Sequence, residues 1–327
     1  RVLFITLFTL GTLSIFWSTN LDFFINKWLI WFTGALMFSL SLRIEHTDEN
    51  LFVIFNAIFL AGLITSLIGV AQFLFLIEVL PQLSFPASTF GNGNLAGHIV
   101  VLCFPAGLYL FLKQSSYKTG DWVYSAGLVI MLAFVFYTRS RAVWISVSLE
   151  IILFIAFIFF DKAQRPGWLF WDRNKTIASL ISLLLLIVLL NTDSGGFEPF
   201  SGVAKEEILS LASSIKDQDS ARYSLWYAAL EMIKRNPLFG TGLGSFLENF
   251  NQGYHAISNW NIRRVHNDLL EFGIELGFLG YALLIAIFVC MLIKLLVLIK
   301  KSKESNRLAY ALAFVALAGT ALNSQVS

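Results

Sequence analysis

In a chain that is otherwise mostly apolar, the side chains able to do chemistry gather in a few short stretches. In RRVHNDLLEFGIELGFLGY, His266 precedes Asn267 and Asp268 and, at helical spacing, Glu271 and Glu275. A histidine takes up a proton near neutral pH and so suits a general base. Polar residues entering an apolar run are costly in hydrocarbon and are expected to face a water-filled or protein-lined cavity; the alternative is a helix cap with interfacial polar groups. Upstream, SARYSLWYAALEMIKR places Trp226 four residues after Arg222, on one helix face. Arg222 either acts on a substrate or pairs with a loop acid such as Asp219. In YTRSRAVW, Arg139 and Arg141 have no acid nearby in sequence. Two guanidinium groups match phosphate oxygens in a bidentate fork, although they serve equally as interface anchors. STFGNGNLAGH sets Asn94 among glycines, as a cavity-lining loop or as a helix start. PLFGTGLGSF carries Gly240, Gly242 and Gly244 at alternate positions, the pattern of a tight turn with close backbone approach. It has neither the lysine of a P-loop nor dinucleotide spacing. His46, His98, His255 and His266 show no paired ligand spacing, so no metal site is expected.

The elements that must position these groups are membrane helices. Of the 327 residues 57% are hydrophobic and 13% charged, against roughly a quarter charged in a soluble domain. The apolar residues form runs of about 17 to 25, enough to cross a bilayer as helices, without the alternation of a barrel. The expected fold is all-α and polytopic, with about nine spans: 2–17, 28–42, 51–80, 95–112, 122–137, 142–160, 177–190, 269–299 and 308–322. Basic residues between spans six and seven, and again between eight and nine, mark those loops as cytoplasmic. Loops 81–93 and 138–141 and the long loop 191–265 then lie outside, with all the unusual polar residues on that face. The expected organisation is 1–190 as seven spans, 191–265 as a periplasmic cap with its own small core, and 266–327 as two further spans. Within the cap, Ser220 is expected to cap a helix over 221–235, which Asn236-Pro237 ends. Cys103 and Cys290 read as small buried hydrophobes. The net charge of +2 gives no sign of nucleic-acid binding. A start at Arg1 and an end just after an apolar run lead us to expect a fragment that lacks spans at one or both ends.

TFGNGNLAGH, the Ser140-Arg141-Ala142 triplet, RYSLWYAALEMIKRNPLFGTGLGSF and HNDLLEFGIELGFLGYALL together resemble the O-antigen ligase and polymerase superfamily of bacterial membrane glycosyltransferases, over roughly residues 85–285. That superfamily includes lipopolysaccharide O-antigen ligases, O-antigen polymerases and O-linked protein oligosaccharyltransferases. The resemblance implies an inner-membrane protein with a periplasmic active face. It would transfer a glycan from an undecaprenyl-diphosphate carrier to an acceptor hydroxyl on lipid A core, glycan or protein, with no metal, cofactor or nucleotide sugar. Motif by motif, Arg141 matches the arginine after serine at the outer span end, Arg222 the loop arginine before tryptophan, and His266 the histidine of the HN pair; Arg139 has a less certain counterpart.

On this reading Arg141 and Arg222 hold the diphosphate and stabilise the charge that builds as the glycosidic bond breaks. His266 takes the proton from, or orients, the attacking hydroxyl, and the reaction inverts the anomeric centre. Asn267 and Asp268 position the histidine, with Glu271 a weaker candidate base. Asn94 joins the substrate-binding set. Trp226, Trp260 and Tyr254 either stack on sugars or pack the cap. Ligase, polymerase and protein glycosylase stay open, with the ligase favoured. From another class, a transporter or flippase of polyisoprenoid-linked sugar would also want outward arginines, but would place polar groups near the bilayer midplane.

Overall fold

The structure is a computed structural model, and it describes residues 1–45, 47–77, 86–113, 118–160, 171–192, 218–254, 265, 267–302 and 304–326. Among these the only regular elements are helices. They are α1 (Val2–Leu13, continued by a 3-10 turn Ser14–Phe16), α2 (Leu21–Ser41), α3 (Asp48–Phe75), α4 (Gly93–Leu112), α5 (Lys118–Tyr137), α6 (Arg141–Phe160), α7 (Arg173–Asn191), α8 (Gln218–Arg235), α9 (Phe246–Tyr254), α10 (Asp268–Lys301) and α11 (Glu304–Val326). The all-α, polytopic expectation holds. Among the described residues eight helices are long and apolar enough to cross a membrane, and α1 with its 3-10 turn is a shorter apolar ninth. Large apolar side chains such as Ile152, Leu180, Leu184 and Phe278 stand exposed on them, as a surface facing hydrocarbon requires.

Polar caps set the helix starts. Asn20 Oδ1 accepts from the Asp22 and Phe23 amides, Thr47 Oγ1 from Asn50, Asn92 Oδ1 from Asn94, and Asp172 Oδ1 from Lys175. Accordingly α2 begins seven residues before the expected span at Trp28 and takes Lys27 into its interior. Helix α8 begins at Gln218, so Ser220 lies within its first turn and is not its cap. Cys103 is buried as expected; Cys290 is exposed on α10.

The chain divides into two compact units, residues 1–45 with 210–293, and residues 46–209 with 294–327. In the second unit α4 is the central helix, buried along most of its length against α3, α5, α6 and α11. At one end Lys113 pairs with Asp48 at 3.6 Å, and Asn174 Nδ2 donates to Asp121 Oδ2 at 2.9 Å. There the buried Lys175 ammonium reaches Asp121 at 3.9 Å and donates to the Leu112 and Lys113 carbonyls that close α4, where a cation also meets the negative end of the helix dipole. At the other end Phe73 stacks on Tyr137, and the Tyr137 hydroxyl donates to the Leu189 carbonyl at 2.6 Å. Helices α3, α5 and α7 thus begin at the end of the bundle where α4 closes, so α4 runs antiparallel to them.

Candidate functional site

In the first unit the site is built around a break in α10. Gly277 takes φ +63° and ψ −165°, so the helix ends and restarts there. The expected single span is instead a nine-residue helix over 268–276 followed by a spanning helix over 278–301, roughly 36 Å at about 1.5 Å per residue. A break leaves carbonyls and amides unpaired, and each costs free energy if buried so. The glycine loop supplies both kinds of partner. Thr241 N and Gly242 N donate to the Ile274 and Glu275 carbonyls at 2.9 Å, while Phe278 N and Leu279 N donate to the Pro237 and Leu238 carbonyls at 2.7 and 3.3 Å. The approach is too close for a side chain: a Cβ on Gly240 would lie 2.4 Å from the Glu275 carbonyl carbon, and one on Gly277 would lie 2.5 Å from Leu238. With Gly240, Gly242 and Gly244 all at positive φ, this is the tight turn the sequence predicted. Its far side rests on the α1–α2 corner, where Leu243 N donates to the buried Ser14 hydroxyl at 3.0 Å.

The short helix carries the carboxylates. Lys27 Nζ, from α2, donates to Glu271 at 2.5 Å and to Glu275 at 2.8 Å. Glu275 is buried, so the expected cavity for these polar groups is, at Glu275, a protein-lined ion-pair site. Lys27 was missed from sequence. The available signal was a lysine adjoining an apolar run, which in a membrane helix calls for a partner. One turn earlier, Asn267 Oδ1 accepts from Leu270 N at 3.0 Å and caps the short helix. Asp268 opens that helix and is exposed.

Helix α8 packs on the same element. Its buried face, Leu225, Ala228, Ala229 and Met232, follows helical spacing and forms a cluster with Phe246, Phe250, Val265 and Ile274, against which Trp226 also packs. Trp226 is thus placed in the small core of this unit. Arg222 lies on α8 one turn before Trp226. His266 lies outside the described residues, as does Trp260. Of the residues next to the histidine in sequence, Val265 lies in the α8 cluster and Asn267 caps the start of α10.

In the second unit Asn94, Arg139 and Arg141 share one end of the bundle. Asn94 lies in the first turn of α4, its amide donating to Asn92 Oδ1 at 2.8 Å, which realises the helix-start alternative. The preceding turn is held by Gln72, whose side chain accepts from Ser88 N and donates to Ser88 O. Arg141 is the first residue of α6. The two helices meet where Gly97 faces Val143, so closely that a Cβ on the glycine would lie 2.5 Å from the valine. Arg139 sits between α5 and α6 at φ +51°, a conformation that costs a non-glycine residue on the order of 1–2 kcal/mol. That strained turn separates two arginines by a single buried serine, Ser140. Among the described residues no group of three or more His, Cys, Asp or Glu side chains is arranged to hold a metal.

Residues 126–285 match the O-antigen ligase family, a stretch that contains Arg139, Arg141, Arg222, Trp226 and His266. A protein of Haemophilus influenzae described as uncharacterized is 27% identical over 203 residues, covering 60% of this chain and 48% of the relative. The chain thus spans about half the length of the curated relative it matches. With eight helices among the described residues long and apolar enough to cross a membrane, the chain is a multi-pass membrane protein, and its stretch 126–285, which bears most of the candidate residues, is similar to the O-antigen ligase family.

Proposed function

We propose that the protein is a glycosyltransferase that moves a glycan from an undecaprenyl-diphosphate carrier to an acceptor hydroxyl at the periplasmic face of the bacterial inner membrane, with inversion and without a metal, in the manner of an O-antigen ligase. The observation that carries the reading is the family match over the one stretch that holds Arg141, Arg222 and His266. Packing supports it further, since Trp226 and Val265 share a core and so join the α8 arginine to the segment before α10.

The chemistry needs two things. Charge builds on the departing diphosphate, and the guanidinium groups of Arg141 and Arg222, with Arg139 and Asn94 beside Arg141's helix, neutralise it. The acceptor hydroxyl must lose a proton as its oxygen attacks the anomeric carbon from the face opposite the diphosphate. His266 takes that proton, Asn267 and Asp268 hold the segment that carries the histidine, and Glu271 adds negative charge nearby.

The test is transfer in membranes containing the full-length protein, supplied with undecaprenyl-diphosphate-linked glycan and with lipid A core, a second carrier-linked glycan or a peptide as acceptor. Product on one acceptor is expected, falling by about 10²- to 10³-fold with Arg141→Ala or Arg222→Ala and by about 10²- to 10⁴-fold with His266→Ala. Intact protein that makes no product on any acceptor, yet moves the donor across the bilayer, would establish a transporter instead.

A further inference from the structure

The second unit buries a carboxyl group in the middle of a spanning helix. Glu150 is the tenth residue of α6 and is fully buried, and neither of its oxygens has a hydrogen-bond partner among the described residues. It does not stand alone. Ser146, one turn along α6, is fully buried with its hydroxyl unpartnered. Helix α11, which packs directly on α6, presents Gly319 to Glu150: a Cβ there would lie 2.3 Å from the carboxyl oxygen, so the missing side chain makes the space the carboxyl fills. Beside and one turn beyond that glycine, Thr320 Oγ1 and both amide atoms of the fully buried Asn323 are likewise unpartnered.

An isolated charge in this setting is very costly, and each unpaired buried polar atom adds to the cost. The donor set says what relieves it. The acceptors are one carboxylate and the oxygens of Ser146, Thr320 and Asn323, with no imidazole among them, a set suited to a hard cation. One carboxylate balances one positive charge. A divalent ion would leave the buried site positive.

We infer that Glu150, Ser146, Thr320 and Asn323 form an intramembrane binding site for a small monovalent cation of the sodium class, with Gly319 providing its room. The inference stands apart from the transferase reading and does not depend on it. The experiment is equilibrium binding of radioactive Na⁺ to the purified full-length protein. Saturable binding near one ion per chain is expected, displaced by unlabelled Na⁺ but not by choline, absent in Glu150→Gln and weakened about tenfold or more in Ser146→Ala. A second readout locates the ion: carbodiimide labelling of Glu150, mapped by mass spectrometry, is slowed by Na⁺. No saturable binding by the natural sequence overturns the inference whatever the variants do. So does Na⁺ binding that survives in Glu150→Gln, or labelling that Na⁺ leaves unchanged.

Discussion

Two buried carboxyl groups, Glu275 in the first unit and Glu150 in the second, meet the same difficulty in different ways. Glu275 has a lysine from another helix at 2.8 Å, a second carboxylate sharing that lysine, and a backbone carbonyl engaged by Gly242 N. Glu150 has a glycine opposite it, with unpartnered hydroxyls and an amide within one turn along α6 and α11. The chain brings its own cation to the first; the second is arranged to receive one. The first arrangement is a fastening, tying α2 to the short helix that begins beside Asn267. The second is a site.

The largest effect expected from this comparison comes from removing the fixed cation. Lys27→Met leaves two carboxylates facing each other without their lysine, and removing one partner of a buried ion pair costs about 3–5 kcal/mol. The variant should lose its folded fraction in detergent, followed by fluorescence-detected size exclusion during heating. Combining Lys27→Met with Glu271→Gln and Glu275→Gln removes the unpaired charge and should restore most of that loss. A triple variant as unstable as Lys27→Met alone would show that lysine packing, and not charge, holds α2 to α10.

How much of this was legible in the sequence follows from the same residues. Run length sufficed for the polytopic all-α fold, because a bilayer sets one length for every span. Caps such as Asp172 and Asn92 were readable in principle, since a short polar side chain before an apolar run satisfies amides within its own turn. Lys27 was not placed, because hydropathy treats a lysine as the end of a run, and only its partners Glu271 and Glu275, some 240 residues away, make it interior. The break at Gly277 was invisible for the same reason. A helix breaks where something else takes its hydrogen bonds, and here that something is residues 237–242. Lys175 was read as a loop charge, yet it is buried as the closing partner of α4. Of the candidate site, the composition of the turn at Gly240 to Gly244 and the sharing of one bundle end by Asn94 and Arg141 were readable. The strained backbone of Arg139 was not, since nothing local in TRSR demands positive φ.

A smaller effect sharpens the other half of the comparison. If Glu150 binds Na⁺, Na⁺ at a hundred times its dissociation constant should stabilise the natural protein by about 2.7 kcal/mol, by mass action on the folded state alone. Glu150→Gln removes the buried charge along with the ligand. It should therefore fold without Na⁺ and show no Na⁺-dependent shift in its melting point. A Glu150→Gln protein still stabilised by Na⁺ would place the ion elsewhere.

The smallest effect is a control on distance. Lys234 and Glu231 approach to 2.6 Å on α8, at least as close as Lys27 and Glu275, but the lysine side chain is 70% exposed and the pair lies on one helix at i, i+3. Water already solvates both groups, and holding two long side chains together costs rotamer entropy, so exposed pairs contribute little. Lys234→Ala should leave the melting point unchanged within error. If it did not, proximity alone would be setting the strength of these pairs, and the contrast between Lys27 and Glu150 would lose its basis. An unchanged melting point, beside the collapse of Lys27→Met, would assign the difference to desolvation, the quantity that makes a lysine necessary at Glu275 and a bound cation necessary at Glu150.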